Sequence, residues 1–223
     1  MKQKISIDVV SDVVCPWCYI GKRRLEAALD ALRHDYDFVV EYRPFELNPA
    51  IPASGRNQKD YLSEKFGGEE RYQSLTQHVT QVAAGEGLEF NFDKQLRYPN
   101  TRKAHALIQY AGTEGRQKEV ADLLFKAYFT DGVDLSNDEN LYKIAELAGL
   151  DAAKTRQMLE DENSLLQIAL EEQEIYKLGI TGVPFFIVDK KFGISGAQST
   201  ETFIKALQNI GKEKTPARAE KES

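Results

Sequence analysis

The sequence predicts an α/β fold in which both ends of the chain build one mixed sheet around an inserted all-helical block. Three observations carry this. Runs rich in β-branched residues stand near the N-terminus, at Ile5-Ser6-Ile7-Asp8-Val9-Val10 and Phe38-Val39-Val40-Glu41-Tyr42. From about Lys59 to Leu178 strand signals almost vanish and apolar residues recur at helical spacing. Strand signals then return at Pro184-Phe185-Phe186-Ile187-Val188 and Phe192-Gly193-Ile194-Ser195-Gly196, on either side of the polar turn Asp189-Lys190-Lys191. The order is β-α-β, helices, β-β-α. It divides the chain into residues 1–58 and 179–211 as the two parts of the sheet domain, 59–178 as the insertion and 212–223 as a tail.

The first helix follows the first strand directly, with Ile20, Leu25, Ala28, Leu29 and Leu32 on one face. After the second strand, Arg43-Pro44-Phe45-Glu46-Leu47-Asn48-Pro49 holds two prolines that end regular structure. In the insertion, Asn100 or Thr101 is a natural N-cap after Pro99 for a helix carrying Ala104, Leu107, Ile108 and Ala111. Leu124, Ala127 and Tyr128 continue such a face. Asn137 caps a helix with Leu141, Ile144, Ala145 and Ala148, which Gly149 stops. Asp151 caps a short helix through Met158, and another runs from about Asn163 to Leu178, closed by Gly179. A last helix starts near Ser199 or Thr200 with Phe203, Ile204 and Leu207 on one face. The charged tail from Gly211 is expected to be disordered.

Apolar residues make up 42% and charged residues 29% of the 223, as in an ordinary soluble domain. A formal charge of −6 argues against nucleic acid as the main partner, because phosphate binding needs a basic surface. The run Lys22-Arg23-Arg24 reads as a solvated helix face. No stretch approaches the ~20 apolar residues of a membrane span. The N-terminus shows no apolar core or cleavage site of an export signal, so the expected location is cytoplasmic.

The only two cysteines form Cys15-Pro16-Trp17-Cys18 at the strand-to-helix turn. In a reducing compartment such a pair is catalytic or metal-binding rather than a structural staple. Proline suits the first turn of a helix, and the free N–H groups there favour a thiolate on Cys15. Thiol–disulfide exchange needs an attacking thiolate and a resolving thiol. Cys15 is expected to be the exposed attacker and Cys18, one turn on and less exposed, the resolver. A zinc site would need two more ligands, and His34, His78 and His105 offer none paired at ligand spacing. Asp8 and Asp12 read as solvated residues and His105 as a histidine packing beside an apolar stripe. Asn48 either stabilises its turn or reaches the active-site groove.

Taken together, Ser11-Asp12-Val13-Val14-Cys15-Pro16-Trp17-Cys18-Tyr19-Ile20-Gly21, Pro44-Phe45-Glu46-Leu47-Asn48-Pro49, Thr181-Gly182-Val183-Pro184-Phe185-Phe186 and Ser195-Gly196-Ala197-Gln198 resemble the FrnE-like cytosolic group of the DsbA family. The resemblance covers nearly the whole chain except the tail. It implies a thioredoxin-like fold with an inserted all-helical subdomain and a thiol–disulfide oxidoreductase acting on protein thiols and disulfides. It implies a cis bond before Pro184, leaving the Val183 backbone free to pair with an extended substrate. Pro16 and Trp17 then tune the couple. The family's strongest oxidants carry histidine where Trp17 stands, so a milder oxidant is expected. No cofactor is implied beyond the cysteine pair, with glutathione as a candidate co-substrate. Two other readings stay open: a glutathione-dependent transferase or isomerase, whose relatives place serine at the position of Cys15, and a peptide-binding protein on the same scaffold. Oligomeric state does not follow from the residues.

Overall fold

The computed structural model describes residues 2–214. β1 (Gln3–Ser11), α1 (Pro16–Leu32) and β2 (Tyr36–Pro44) form a β-α-β unit with parallel strands. The hairpin β5 (Phe185–Val188) and β6 (Phe192–Ser195) adds to the other side of β1, giving the sheet order β2-β1-β5-β6. β5 runs antiparallel to β1, so the sheet is mixed. In that hairpin Asp189 and Lys190 take φ values of +51° and +57°, and the Lys191 N–H closes the turn on the Val188 carbonyl at 3.1 Å.

β1 is buried on both faces because both are covered. Ile5, Ile7 and Val9 pack into the main core with α1 and the last helix, where Phe186 meets Phe203 edge-on at 4.9 Å. Val10 points the other way, into a smaller cluster with Phe45, Ile175 and Ile180. The period of two along one strand thus serves two layers.

Between β2 and β5 lie β3 (Arg56–Asn57), α2 (Gln58–Phe66), α3 (Glu69–Gly85), β4 (Arg97–Tyr98), α4 (Arg102–Thr113), α5 (Gln117–Phe129), α6 (Asp138–Leu147), α7 (Ala152–Glu160) and α8 (Glu162–Lys177). The two-residue strands β3 and β4 pair with each other, a small sheet the sequence pattern does not reveal because neither is long enough to alternate. α4 is the hub, with Ala104, Leu107, Ile108 and Ala111 buried. Its N-terminus is served by Asn100, whose Oδ1 accepts from the Arg102 amide at 3.1 Å, rather than by a Thr101 side-chain bond. Asn137, Asp151 and Asp161 cap α6, α7 and α8 through side-chain oxygens.

α9 runs from Thr200 to Lys214, so the expected disordered tail begins too early at Gly211. Gly211 and Lys212–Lys214 are helical. The helix extends because Gly211 is seated against the Tyr36 ring and Lys214 pairs with Asp189 at 2.8 Å. The remainder of the expected tail lies outside the described residues. Among the described residues no helix is long and apolar enough to cross a membrane.

Candidate active site

Pro16 opens α1, where its missing N–H leaves no bond unmade, and Cys15 becomes the N-cap at φ −91° and ψ 111°. The Cys15 carbonyl accepts from the amides of Cys18 at 3.0 Å and Tyr19 at 3.4 Å. Its own amide donates to the Asp12 carbonyl at 3.0 Å. The Cys15 Sγ is left facing the Val183 carbonyl oxygen, 3.8 Å away and from the far end of the chain. The Val183–Pro184 peptide bond is cis.

Gly21 permits this approach. A Cβ there would stand 3.2 Å from Pro184 Cγ and 3.3 Å from the Phe186 ring. With any side chain there, Pro184 or Phe186 would have to give by a few tenths of an ångström, so glycine eases the close approach of α1 to the Val183-Pro184 loop.

Cys15 is 4% exposed and Cys18 is 1% exposed, and both are free thiols. The expectation of an openly exposed Cys15 is therefore corrected. Residues of the insertion cover the site, and Cys15 lines a cleft of about 350 Å3. Trp17 and Val183 line that cleft together with Leu62, Phe66 and Leu75 from the insertion. Its polar floor is closed on itself: Tyr128 Oη donates to Gln58, Gln58 Nε2 to Gln95, and Gln95 Nε2 to the Tyr128 carbonyl. What remains open to a ligand is mostly apolar. Trp17 keeps 37% of its surface exposed while its ring stands 6.1 Å from that of His78, so it is both packed and presented to the cleft.

Burial pushes the Cys18 thiol well above its ordinary range, and its hydrogen bond with Cys15 raises it further. Cys18 is thus held as a thiol behind Cys15.

The loop that leads to Cys15 also holds a cluster of ionisable groups that sequence reasoning missed. Asp12 is 1% exposed, not solvated. Its Oδ2 accepts from the Leu47 amide at 2.7 Å, and its Oδ1 faces His105 Nε2 at 3.4 Å. Burial alone would lower the His105 pKa; the Asp12 carboxylate, with Glu172 and Glu46 behind it, outweighs burial and holds it above its usual value. Glu46 is buried and takes a two-pronged bond from Arg102, at 2.8 Å from Nε and 2.6 Å from Nη2. The Glu46 amide donates to Glu172. Burial, then the charge of Glu46, pushes Glu172 up to about 7.

A signal for this cluster existed. Glu172 occupies the apolar stripe of α8 between Ile168 and Ile175, one turn from each, and Glu46 sits between Phe45 and Leu47.

Other expectations resolve locally. Asn48 holds its own turn through the Ala50 amide at 3.0 Å and donates to Tyr61 Oη at 2.9 Å, so it fastens the loop to α2. Asp8 is buried, not solvated, and pairs with Arg43 at 3.2 Å and with Lys190. The basic run is not a solvated face either. Lys22 is buried against Glu26 and Asp122, and Arg24 binds Glu86 at 2.6 Å and the Ala197 carbonyl at 2.7 Å. Asp122 and Glu86 from the insertion, with Glu26 on α1 itself, absorb those charges, and Arg23 faces solvent.

The model of the DSBA-like thioredoxin domain matches residues 6–208, from the first strand to the last helix. The chain belongs to this family. Among solved structures it is similar to a probable DsbA oxidoreductase, SCO1869, from Streptomyces coelicolor. The two share 34% identity with a TM-score of 0.88, over 96% of this chain and 93% of the other. It is 29% identical over 216 residues to the uncharacterized protein YwbO of Bacillus subtilis, covering 94% of this chain and 99% of YwbO. The fold also matches the cytosolic disulfide reductase DsbM from Pseudomonas aeruginosa, solved with GSH. That match has 15% identity and a TM-score of 0.66, over 93% of this chain and 99% of DsbM. The DsbA-like assignment and its thioredoxin-like fold with a helical insertion therefore stand.

Proposed function

We propose that this DsbA-family protein is a thiol–disulfide oxidoreductase of protein disulfides, with Cys15 as attacking sulfur and Cys18 as resolving thiol. The observation that carries the reading is their unequal placement. Cys15 caps α1 and lines the cleft, and Cys18 is sealed behind it.

In the reducing direction the Cys15 thiolate attacks one sulfur of a substrate disulfide. A Cys15–substrate disulfide forms and one substrate thiolate leaves. Cys18 then gives up its proton and attacks the Cys15 sulfur. The second substrate thiolate leaves, and a Cys15–Cys18 disulfide remains. The same steps reversed oxidise a substrate dithiol. Val183, whose carbonyl faces the Cys15 sulfur, and Pro184 beside it form the edge on which an extended substrate docks. Pro16 sets the helix start, and Trp17 offers an apolar contact at the mouth. Glutathione is the proposed small-molecule partner that returns the pair to its starting state, and the cytoplasm the proposed location.

The test is Cys18→Ser expressed in cells, with mixed disulfides on Cys15 trapped and identified. Protein adducts that disappear in Cys15→Ser/Cys18→Ser support the reading; absence of any protein adduct refutes it. The enclosed apolar cleft favours a second reading, glutathione-dependent chemistry on a small molecule. That reading gains if such an activity survives Cys18→Ser while insulin reduction is absent.

A further inference from the structure

The cleft explains how a substrate reaches Cys15, but not why Asp12 and His105 are buried against the loop that carries it. Asp12 is three residues before Cys15, and its backbone contacts both cysteines. Its carbonyl accepts from the Cys15 amide at 3.0 Å, and its main chain is hydrogen-bonded toward Cys18. Its carboxylate is tied to the Leu47 amide and reaches the Val14 amide at 3.5 Å. The remaining neighbour is His105, brought from the first turn of α4 in the insertion. The Nε2 of His105 is fully buried and has no partner closer than Asp12 Oδ1 among the described residues.

We propose that His105 is a positioning residue for the cysteine pair: facing Asp12, it fixes the loop that frames both sulfurs and offsets the carboxylate's charge beside them.

Other readings of His105 fit less well. A packing histidine would bury its ring with its polar nitrogens satisfied, yet this one aims a buried nitrogen at a carboxylate. Arg102 cannot replace it, because its guanidinium is engaged by Glu46. His105 faces Asp12 from the β1–α1 loop at 3.4 Å and also feels the charges of Glu46, from the loop after β2, and of Glu171 and Glu172 from α8. Tyr98, Tyr128 and Tyr176, which also sense Asp12, are neutral phenols. When protonated, His105 is the cation that faces Asp12 at 3.4 Å, set among carboxylates. Without it the Asp12 charge stands unopposed beside the sulfurs and disfavours any thiolate held by the reduced pair.

The inference rests on the reading of Cys15 and Cys18 as a redox couple, and the experiment separates the two. Wild type, His105→Gln and Asp12→Asn/His105→Gln are equilibrated with glutathione buffers at pH 7. The dithiol plus one oxidised glutathione gives the protein disulfide plus two reduced glutathiones. Glutamine keeps a donor toward Asp12 and removes the charge, so His105→Gln is expected to move the equilibrium about tenfold toward the disulfide. The double variant, neutral at both positions, is expected to return within about threefold of wild type.

A folded His105→Gln variant whose equilibrium stays unchanged overturns the proposal, and so does a shift that the double variant fails to reverse. Failure of wild type to form a Cys15–Cys18 disulfide at all would instead strike the redox reading. Should His105→Gln not fold, wild type decides. The His105 imidazole, one of three histidines, is titrated by NMR in the reduced and disulfide forms. By linkage its midpoint is expected to be higher in the reduced form. Identical midpoints overturn the proposal.

Discussion

Glu172→Gln isolates one ionisation from the packing around it. The Glu172 side chain is 5% exposed and accepts the Glu46 amide through Oε1, a bond that the glutamine oxygen preserves. Its pKa rises from 4.5 to about 7 in the fold, through burial first and the Glu46 charge second. Between those values the folded chain keeps a proton that the unfolded chain has lost. Stability from this group is therefore complete below about 4.5 and gone above about 7, so raising the pH favours unfolding. The full difference corresponds to about 3 kcal/mol at most.

His105 acts in the same direction. Its raised pKa gives stability that is present at low pH and is lost as pH climbs through its folded value. The assay is urea unfolding from pH 4.5 to 8.5. Wild type is expected to lose stability across that range, with the Glu172 share falling between about pH 4.5 and 7. Glu172→Gln is expected to show a flatter profile and to be more stable than wild type at pH 8.5. Parallel profiles for the two proteins would mean that Glu172 ionises like a surface carboxylate, and the reasoning fails.

Other perturbations probe the same architecture. Gly21→Ala puts a Cβ 3.2 Å from Pro184 and should cost about 1–3 kcal/mol while slowing insulin reduction, because α1 is pushed off the Val183-Pro184 loop. Unchanged turnover with intact stability would show that the close approach is dispensable. Arg102→Ala strands the buried Glu46 carboxylate and should cost about 3 kcal/mol in denaturant unfolding, whereas Glu46→Gln should cost less; equal losses contradict this. Gly211→Ala collides with the Tyr36 ring at 2.5 Å and should lower the melting temperature, with partial recovery in Gly211→Ala/Tyr36→Ala. No recovery would place the conflict elsewhere.

The sheet strands, the first and last helices and the caps at Asn137 and Asp151 were legible because their signals are local. Strand periodicity, helical spacing and a capping side chain each act within a few residues. The Cys15-Pro16-Trp17-Cys18 turn was legible for the same reason, since proline at the first helical position and a cysteine before it describe one turn. The β3–β4 pair was not, because two residues cannot show a period. The helical end at Lys214 was not either, because Tyr36 and Asp189 hold it from distant parts of the chain.

The sequence by itself determined that two sulfurs stand at a helix start, and the order in which strands and helices surround them. Tertiary structure decided how those sulfurs are reached and what surrounds them. The helical insertion turned an expected open Cys15 into the wall of a cleft and absorbed the charges of Lys22 and Arg24. It also carried His105 and Glu172 to a buried Asp12 and Glu46. Such effects depend on burial and on partners tens of residues away. A carboxylate's spelling in the sequence is the same whether water or a buried imidazole faces it.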